Sequence, residues 1–261
     1  MEGCSIKEAL YNAKKVLQPV SDAPALDAQW LMLEVLGPGE ASWLISHGED
    51  KLTREQKKRF ESLIRRRKTG EPLAYILGEW AFYGRKFIVN KDVLIPRPDT
   101  EKLVEEAVRV IDKMHNEKRR KLVVADVGTG SGCIAITLLL ETGKINRVIA
   151  VDVSEKALKT ARRNAIRYGV NSEITFVRGD MLEPTRKKSV DLIISNPPYV
   201  PASELKKAAL SSTPDTQGLC FEPRLALDGG ADGQSYVNQI KESGIPAVVE
   251  SVGGELKLFN I

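Results

Sequence analysis

Apolar positions Ile6, Ala9, Leu10, Ala13, Val16 and Leu17 recur at helical spacing, and Pro19 ends the run. A second helix is predicted over 27–36, stopped by Gly37-Pro38-Gly39. Thr53 is placed to cap a third, with Phe60, Leu63 and Ile64 as its apolar face. Residues 1–78 therefore read as an N-terminal helical domain. The pattern changes over 79–98, where Trp80, Phe82, Tyr83, Phe87, Ile88, Val89, Val93, Leu94 and Ile95 surround Gly84 and Asn90. This predicts a β-hairpin linker. Pro96-Arg97-Pro98 closes it, and Asp99 or Thr100 is expected to cap a helix running to about Met114.

From Lys121 onward, short apolar runs alternate with helical patterns. Strands are predicted at 122–127, 147–151, 174–177 and 190–195, with helices at 132–141 and 154–168 between them. Gly169 closes the second of these helices. The alternation implies an α/β domain over 99–261, built on a doubly wound, Rossmann-like parallel sheet.

Composition narrows the class. The chain has 261 residues and a net charge of +4, which does not demand a nucleic-acid partner. The third helix nevertheless carries Arg54, Lys57, Lys58, Arg59, Arg65, Arg66, Arg67 and Lys68. That face is either simply solvated or a surface for ribosomal RNA or an acidic protein. Three separated cysteines, Cys4, Cys133 and Cys220, argue against a disulfide framework or a zinc knuckle. Two histidines exclude a His-rich metal site, and no metal is expected. No apolar run approaches the ~18 residues of a membrane span, and no signal pattern opens the chain. A cytoplasmic monomer is expected.

Asn196-Pro197-Pro198-Tyr199 follows the run 190–195. Neither proline has an N–H to donate, so the strand must stop at Asn196. An amide and an aromatic ring then stand at the carboxyl end of a strand, where open α/β sheets bind ligands. Such a pair suits a planar, uncharged NH2 group. A plain Pro-Pro turn is the bland alternative.

A second site is predicted after the first strand of the sheet, at Asp126-Val127-Gly128-Thr129-Gly130-Ser131-Gly132. Glycines allow a tight turn and close approach to a ligand, and a helix N-terminus favours an anionic group. The spacing is Gly-x-Gly-x-Gly, with Cys133 following, so the Gly-x-Gly-x-x-Gly of dinucleotide folds is not met. Asp152 ends the second strand, placed for ribose hydroxyls. Asp180 follows the third and can accept from an adenine amino group, with Met181 against the ring. S-adenosylmethionine fits this set better than NAD. It has an adenosine for Asp152 and Asp180, a carboxylate for the glycine loop, and an ammonium for Asp126 or the loop carbonyls.

With both motifs present, the chain resembles the release-factor glutamine N5-methyltransferase family. The resemblance covers residues from about 50 to 258. It includes 70–78, Phe82-Tyr83-Gly84, 93–101, 126–132, Asp152, Asp180, 196–199, Glu222-Pro223-Arg224-Leu225-Ala226-Leu227 and Gly229-Gly230-Ala231-Asp232-Gly233. It implies an N-terminal domain that helps dock the release factor and a seven-stranded methyltransferase domain. S-adenosylmethionine would lie at Gly128, Thr129, Gly130, Ser131, Gly132, Asp152, Asp180, Met181 and Asn196. The glutamine of a Gly-Gly-Gln loop would lie at Asn196, Pro197, Pro198 and Tyr199. Family sequences continue past the strand at 255–259 with a helix and a final antiparallel strand. This sequence stops at Ile261, so the sheet is expected to lack its edge strand.

The expected chemistry needs neither His nor Cys. Asn196 accepts one N–H of the target amide, the Pro197 carbonyl accepts the other, and Tyr199 packs on the amide plane. An adenine N6-methyltransferase of DNA or RNA uses the same tetrapeptide and is one alternative. A ribosomal-protein glutamine methyltransferase is another, and a non-catalytic cofactor-binding protein a third.

Overall fold

The structure is a computed structural model that describes residues 4–37, 39–183, 189–210 and 218–261; Pro38 of the predicted helix stop lies outside them. The chain divides into two compact units. One comprises Met1–Gly78 with Ala208–Phe221, the other Glu79–Lys207 with Glu222–Ile261.

The first unit contains α1 (Ile6–Leu17), α2 (Pro24–Leu36), α3 (Ala41–Ser46), α4 (Arg54–Lys68) and α5 (Leu73–Leu77). Ile6, Ala9, Ala13 and Leu17 are the buried stripe of α1. Ser5 and Glu8 form a capping box there, and Thr53 and Gln56 form one on α4, which satisfies donors the helices leave open. Leu31 and Met32 of α2 and Phe60 and Ile64 of α4 are buried. On α4, Lys57, Arg59, Arg66 and Arg67 pair with Glu61, Glu34, Glu71 and Asp27. Much of that helix's charge is thus tied within its own unit. The short helices α3 and α5 had no clear periodic signal.

The second unit opens with the hairpin β1 (Glu79–Phe82) and β2 (Arg85–Ile88). Its two-residue turn has positive φ at both Tyr83 (51°) and Gly84 (71°), the twist that suits a tight hairpin. Then follow α6 (Asp99–Lys118), β3 (Leu122–Val127), α7 (Cys133–Glu141), β4 (Ile145–Asp152), α8 (Glu155–Arg167), β5 (Ile174–Arg178) and β6 (Leu192–Ser195). The last elements are α9 (Ala202–Leu210), whose residues from Ala208 on fall in the first unit, α10 (Ser235–Glu242), β7 (Ala247–Ser251) and β8 (Glu255–Phe259). Six strands form one sheet in the order β5-β4-β3-β6-β7-β8. All its pairs are parallel except β7–β8. Ala247–Ser251, unmarked by the sequence pattern, takes the place beside β6, and Glu255–Phe259 runs antiparallel at the edge.

Strand alternation sorts the core. Leu122, Val124, Leu192, Ile194 and Val248 join the cluster that contains Leu103, Val104, Ala107 and Ile111 of α6. Ala125, Val127, Ile193, Ala247 and Val249 join the opposite cluster with Val237 and Ile240 of α10. Each fully buried Val, Leu or Ile among them contributes roughly 1.5–3 kcal/mol. The chain places β4 and β5 on one side of β3 and β6 on the other, so order reverses between β3 and β6. Ligands bind at such a reversal, beyond the carboxyl ends of the strands.

Asp191 fixes the amino ends of the same two strands. Its carboxylate accepts from Arg120 Nη1 and Nη2 (2.8 and 2.6 Å), Lys118 Nζ (3.0 Å) and the backbone N–H of Val123 (2.9 Å). Burial alone would raise its pKa, but these partners outweigh it and hold the group at about 2. A depressed carboxylate pKa stabilises the fold above the unfolded value and loses that contribution as pH falls through the folded one. Asp191→Asn is expected to cost roughly 1–3 kcal/mol at neutral pH, by urea unfolding. Between about pH 4 and pH 2 the gap between mutant and wild type should close. An equal gap at both ends would remove Asp191 as the cause.

Candidate functional site

β3 and β6 end side by side. Asp126 pairs with Ile194 and Val127 with Ser195 in parallel register, and Ser195 Oγ donates to the Val127 carbonyl at 2.7 Å. The glycine loop and the Asn-Pro-Pro-Tyr segment therefore leave the sheet as neighbours. A Cβ on Gly128 would lie 3.8 Å from the Asn196 carbonyl oxygen.

The loop is held from within. Gly128 and Thr129 N–H groups both donate to the Val151 carbonyl at 2.9 Å, and Gly130 N–H donates to Asp152 Oδ2 at 2.9 Å. Thr129 Oγ1 donates to Asp126 Oδ2 at 2.6 Å, and Ala135 N–H reaches the same oxygen at 3.2 Å. Asp126 is fully buried, its Oδ1 has no partner among the described residues, and burial pushes its pKa up to about 6. Asn164 of α8 donates to the Ser131 carbonyl (2.8 Å) and exchanges hydrogen bonds with the Ile88 backbone, joining loop to hairpin.

A cavity opens where these segments meet. Gly128, Gly130, Asp152, Asp180, Met181, Asn196 and Pro198 line it. Thr129, Ser131, Gly132, Pro197 and Tyr199 do not. Thr129 and Ser131 are turned inward and buried. Gly132 is a packing position, where a Cβ would come within 3.1 Å of Ala161 Cβ. The N–H groups of Gly128, Thr129 and Gly130 are already used, so these glycines offer the cavity close approach. Asp152 also accepts from Ser154 N–H at 2.8 Å, and burial raises its pKa. Two hydrogen bonds leave its oxygens with lone pairs for further donors.

The cavity also involves residues that sequence reasoning did not assign to it. Asp92, Val93 and Leu94 form one wall, Pro223, Leu225 and Ala226 another, and Tyr236 of α10 joins them. Glu222 ties the first two walls together. It is 7% exposed, accepts from Ile95 N–H at 3.1 Å and pairs with Arg97 Nη2. The tetrapeptide is zipped to the following loop: Val200 N–H donates to Leu227, Gly229 N–H to Val200 and Ala202 N–H to Gly230. Asp99 and Thr100, offered as alternative helix caps, are instead the first two residues of α6, with Pro98 at the cap position. The Thr100 hydroxyl accepts from Asn196 Nδ2 at 2.9 Å. The Tyr199 hydroxyl lies 3.3 Å from Glu250 Oε1, and burial first, then Glu250, pushes its pKa up to about 12.

Two family models match the chain, the PrmC N-terminal domain over residues 8–78 and the methyltransferase small domain over 104–212. A release factor glutamine methyltransferase of Bacillus subtilis is 41% identical over 213 residues, covering 81% of this chain and 70% of that protein. One from Chlorobaculum tepidum is 40% identical over 223 residues, covering 84% and 71%. The chain belongs to the release factor glutamine methyltransferase family. It also matches a Rickettsia prowazekii bifunctional methyltransferase at 37% identity over 243 residues, 88% of this chain, and spans 45% of that protein's length. The solved hMettl16 catalytic domain with MAT2A 3′UTR hairpin 1 shares the fold. Its TM-score is 0.50 at 14% identity, over 83% of this chain and 79% of that one.

The Gly229-Gly230-Ala231-Asp232-Gly233 run has a steric meaning. A Cβ at Gly229 would come within 2.7 Å of Tyr199 Cα, and one at Gly233 would collide with the Tyr199 carbonyl oxygen. Gly233 also has φ +73°. Gly244 has φ +72° but open space around it. Gly233→Ala is expected to lose roughly 1–3 kcal/mol more than Gly244→Ala in urea unfolding, since only the former adds a backbone collision to the φ strain. Equal losses would mean that close approach to Tyr199 is not the constraint.

Proposed function

We propose that the protein transfers a methyl group from S-adenosylmethionine to the side-chain amide nitrogen of the glutamine in the Gly-Gly-Gln motif of peptide-chain release factors. The observation that carries this reading is the placement of Asn196 beside the Gly128 loop on paired strand ends. The names of the relatives support the acceptor.

The cavity residues suit the cofactor. Asp152, Asp180, Val93, Leu94 and Met181 line the cavity; in this reading Asp152 accepts from ribose hydroxyls, Asp180 accepts from an adenine amino group, and the other three give the base an apolar surface. Gly128 and Gly130 let the methionine portion come close to main chain. When bound, the cofactor supplies an electrophilic sulfonium methyl. An amide nitrogen is a weak nucleophile because its lone pair is delocalised, so this chain's task is to localise and aim that lone pair. Asn196 Oδ1 accepts one N–H of the glutamine amide and the Pro197 carbonyl accepts the other. The ring of Tyr199, with its hydroxyl near Glu250, packs on the amide plane and excludes water. The nitrogen releases its proton once it is cationic.

No helix among the described residues is long and apolar enough to cross a membrane. We read the protein as a monomer acting in the cytoplasm, with release factors as partners and without direct nucleic-acid binding.

Purified protein, S-adenosylmethionine and a release factor should yield one added methyl on the Gly-Gly-Gln peptide by mass spectrometry. Methylation of DNA, RNA or a ribosomal protein in its place would overturn the assignment. Asn196→Ala should lower kcat by roughly 10²–10³ with cofactor affinity retained. Asp152→Ala should weaken cofactor binding roughly 10–100-fold by calorimetry; unchanged affinity would take Asp152 out of the site.

A further inference from the structure

Alternation along β6 and β7 brings a buried acid to the tetrapeptide. Val248 faces the same cluster as α6, so Glu250, two residues on, shares that face. Ser195 is in register with Val249, which puts Asn196 and Glu250 next to one another beyond the last paired residues. Glu250 is 1% exposed, and its Oε2 has no hydrogen-bond partner among the described residues. Thr100, 2% exposed, is in the first turn of α6. Its oxygen accepts from Asn196 Nδ2 at 2.9 Å, and hydrogen bonding from Thr100 is among the influences that lower the Glu250 pKa against burial.

We propose that Glu250 and Thr100 are positioning residues that set which way round the Asn196 amide sits. This rests on the function proposed above. A hydroxyl has one proton. If that proton is given to the Glu250 carboxylate, Thr100 Oγ1 has only lone pairs to offer Asn196. The Asn196 NH2 then turns to Thr100, and Oδ1 is left for the incoming amide. If Glu250 is neutral, Thr100 is free to donate to Asn196 Oδ1, and the acceptor needed by the substrate is consumed. The groups facing Glu250 are Thr100, Asp99 and Lys102 from α6 and Tyr199 from the loop after β6. Burial is the largest influence and raises its pKa, so neutralisation begins above the ordinary carboxylate range.

The test uses the full chain. In NMR of 15N-labelled protein, the Asn196 side-chain NH2, assigned by its loss in Asn196→Asp, should be protected from exchange. Thr100→Val should remove that protection and lower kcat roughly 10-fold, and Thr100→Ser should recover both. Cofactor affinity should not change in either variant. Wild-type kcat/KM should show an acid limb that Glu250→Gln, which carries no titrating proton, lacks. An Asn196 signal unaltered in Thr100→Val, or an acid limb identical in Glu250→Gln, would overturn the proposal. The NMR measurement needs no turnover. A wild-type protein inactive on release factors would therefore count against the proposed function, while the Asn196 signal still decides the positioning role.

Discussion

The parallel pairing of β3 with β6 is the constraint on which the rest of the structure depends. Asp126 beside Ile194 and Val127 beside Ser195 make two segments distant in sequence begin at one place. A slip of one residue would turn Asn196 to the opposite face, away from Thr100. Register is protected at both ends. Asp191 joins the amino ends through Val123 and a guanidinium, and the Ser195 hydroxyl closes the carboxyl ends on Val127. Apolar side chains that alternate between two clusters hold the middle.

Around that junction, the walls of the cavity are joined by contacts that bridge long stretches of chain. Glu222 binds the segment after the hairpin, and Asn164 binds the hairpin to the glycine loop. These buried polar groups are satisfied by several partners each, and so specify one arrangement where apolar packing alone would allow several. The glycines at 229 and 233 add a purely steric condition, since the main chain of Tyr199 occupies the space their side chains would need.

The alternating sheet, the hairpin turn and the placement of Asn196 and Asp152 were legible because each is written locally, in period, in proline or in glycine. The partnership of Arg97 with Glu222 was not, because no pattern in a single sequence joins residues so far apart. Thr100 was misread as a cap for a related reason. Its position at a helix start is a local signal, and the competing demand from Asn196 comes from another strand. The strand Ala247–Ser251 was missed because Glu250 interrupts its apolar run; that acid has the Tyr199 hydroxyl 3.3 Å from its Oε1. The glycine loop lies at the strand end where the sequence puts it, and the N–H groups of Gly128, Thr129 and Gly130 are used by its own neighbours.

That last detail changes how the loop's letters are to be understood. With Thr129 and Ser131 directed into the protein, and Gly128 and Gly130 bearing no side chains, the loop meets the cavity as bare main chain. Its side-chain information is spent on its own shape, addressed to Asp126 and the interior. Chemical variety at 129 and 131 is therefore filtered by whether the loop can still be built. The side chains that reach the cavity are instead the acids, apolar walls and amide that stand around the loop.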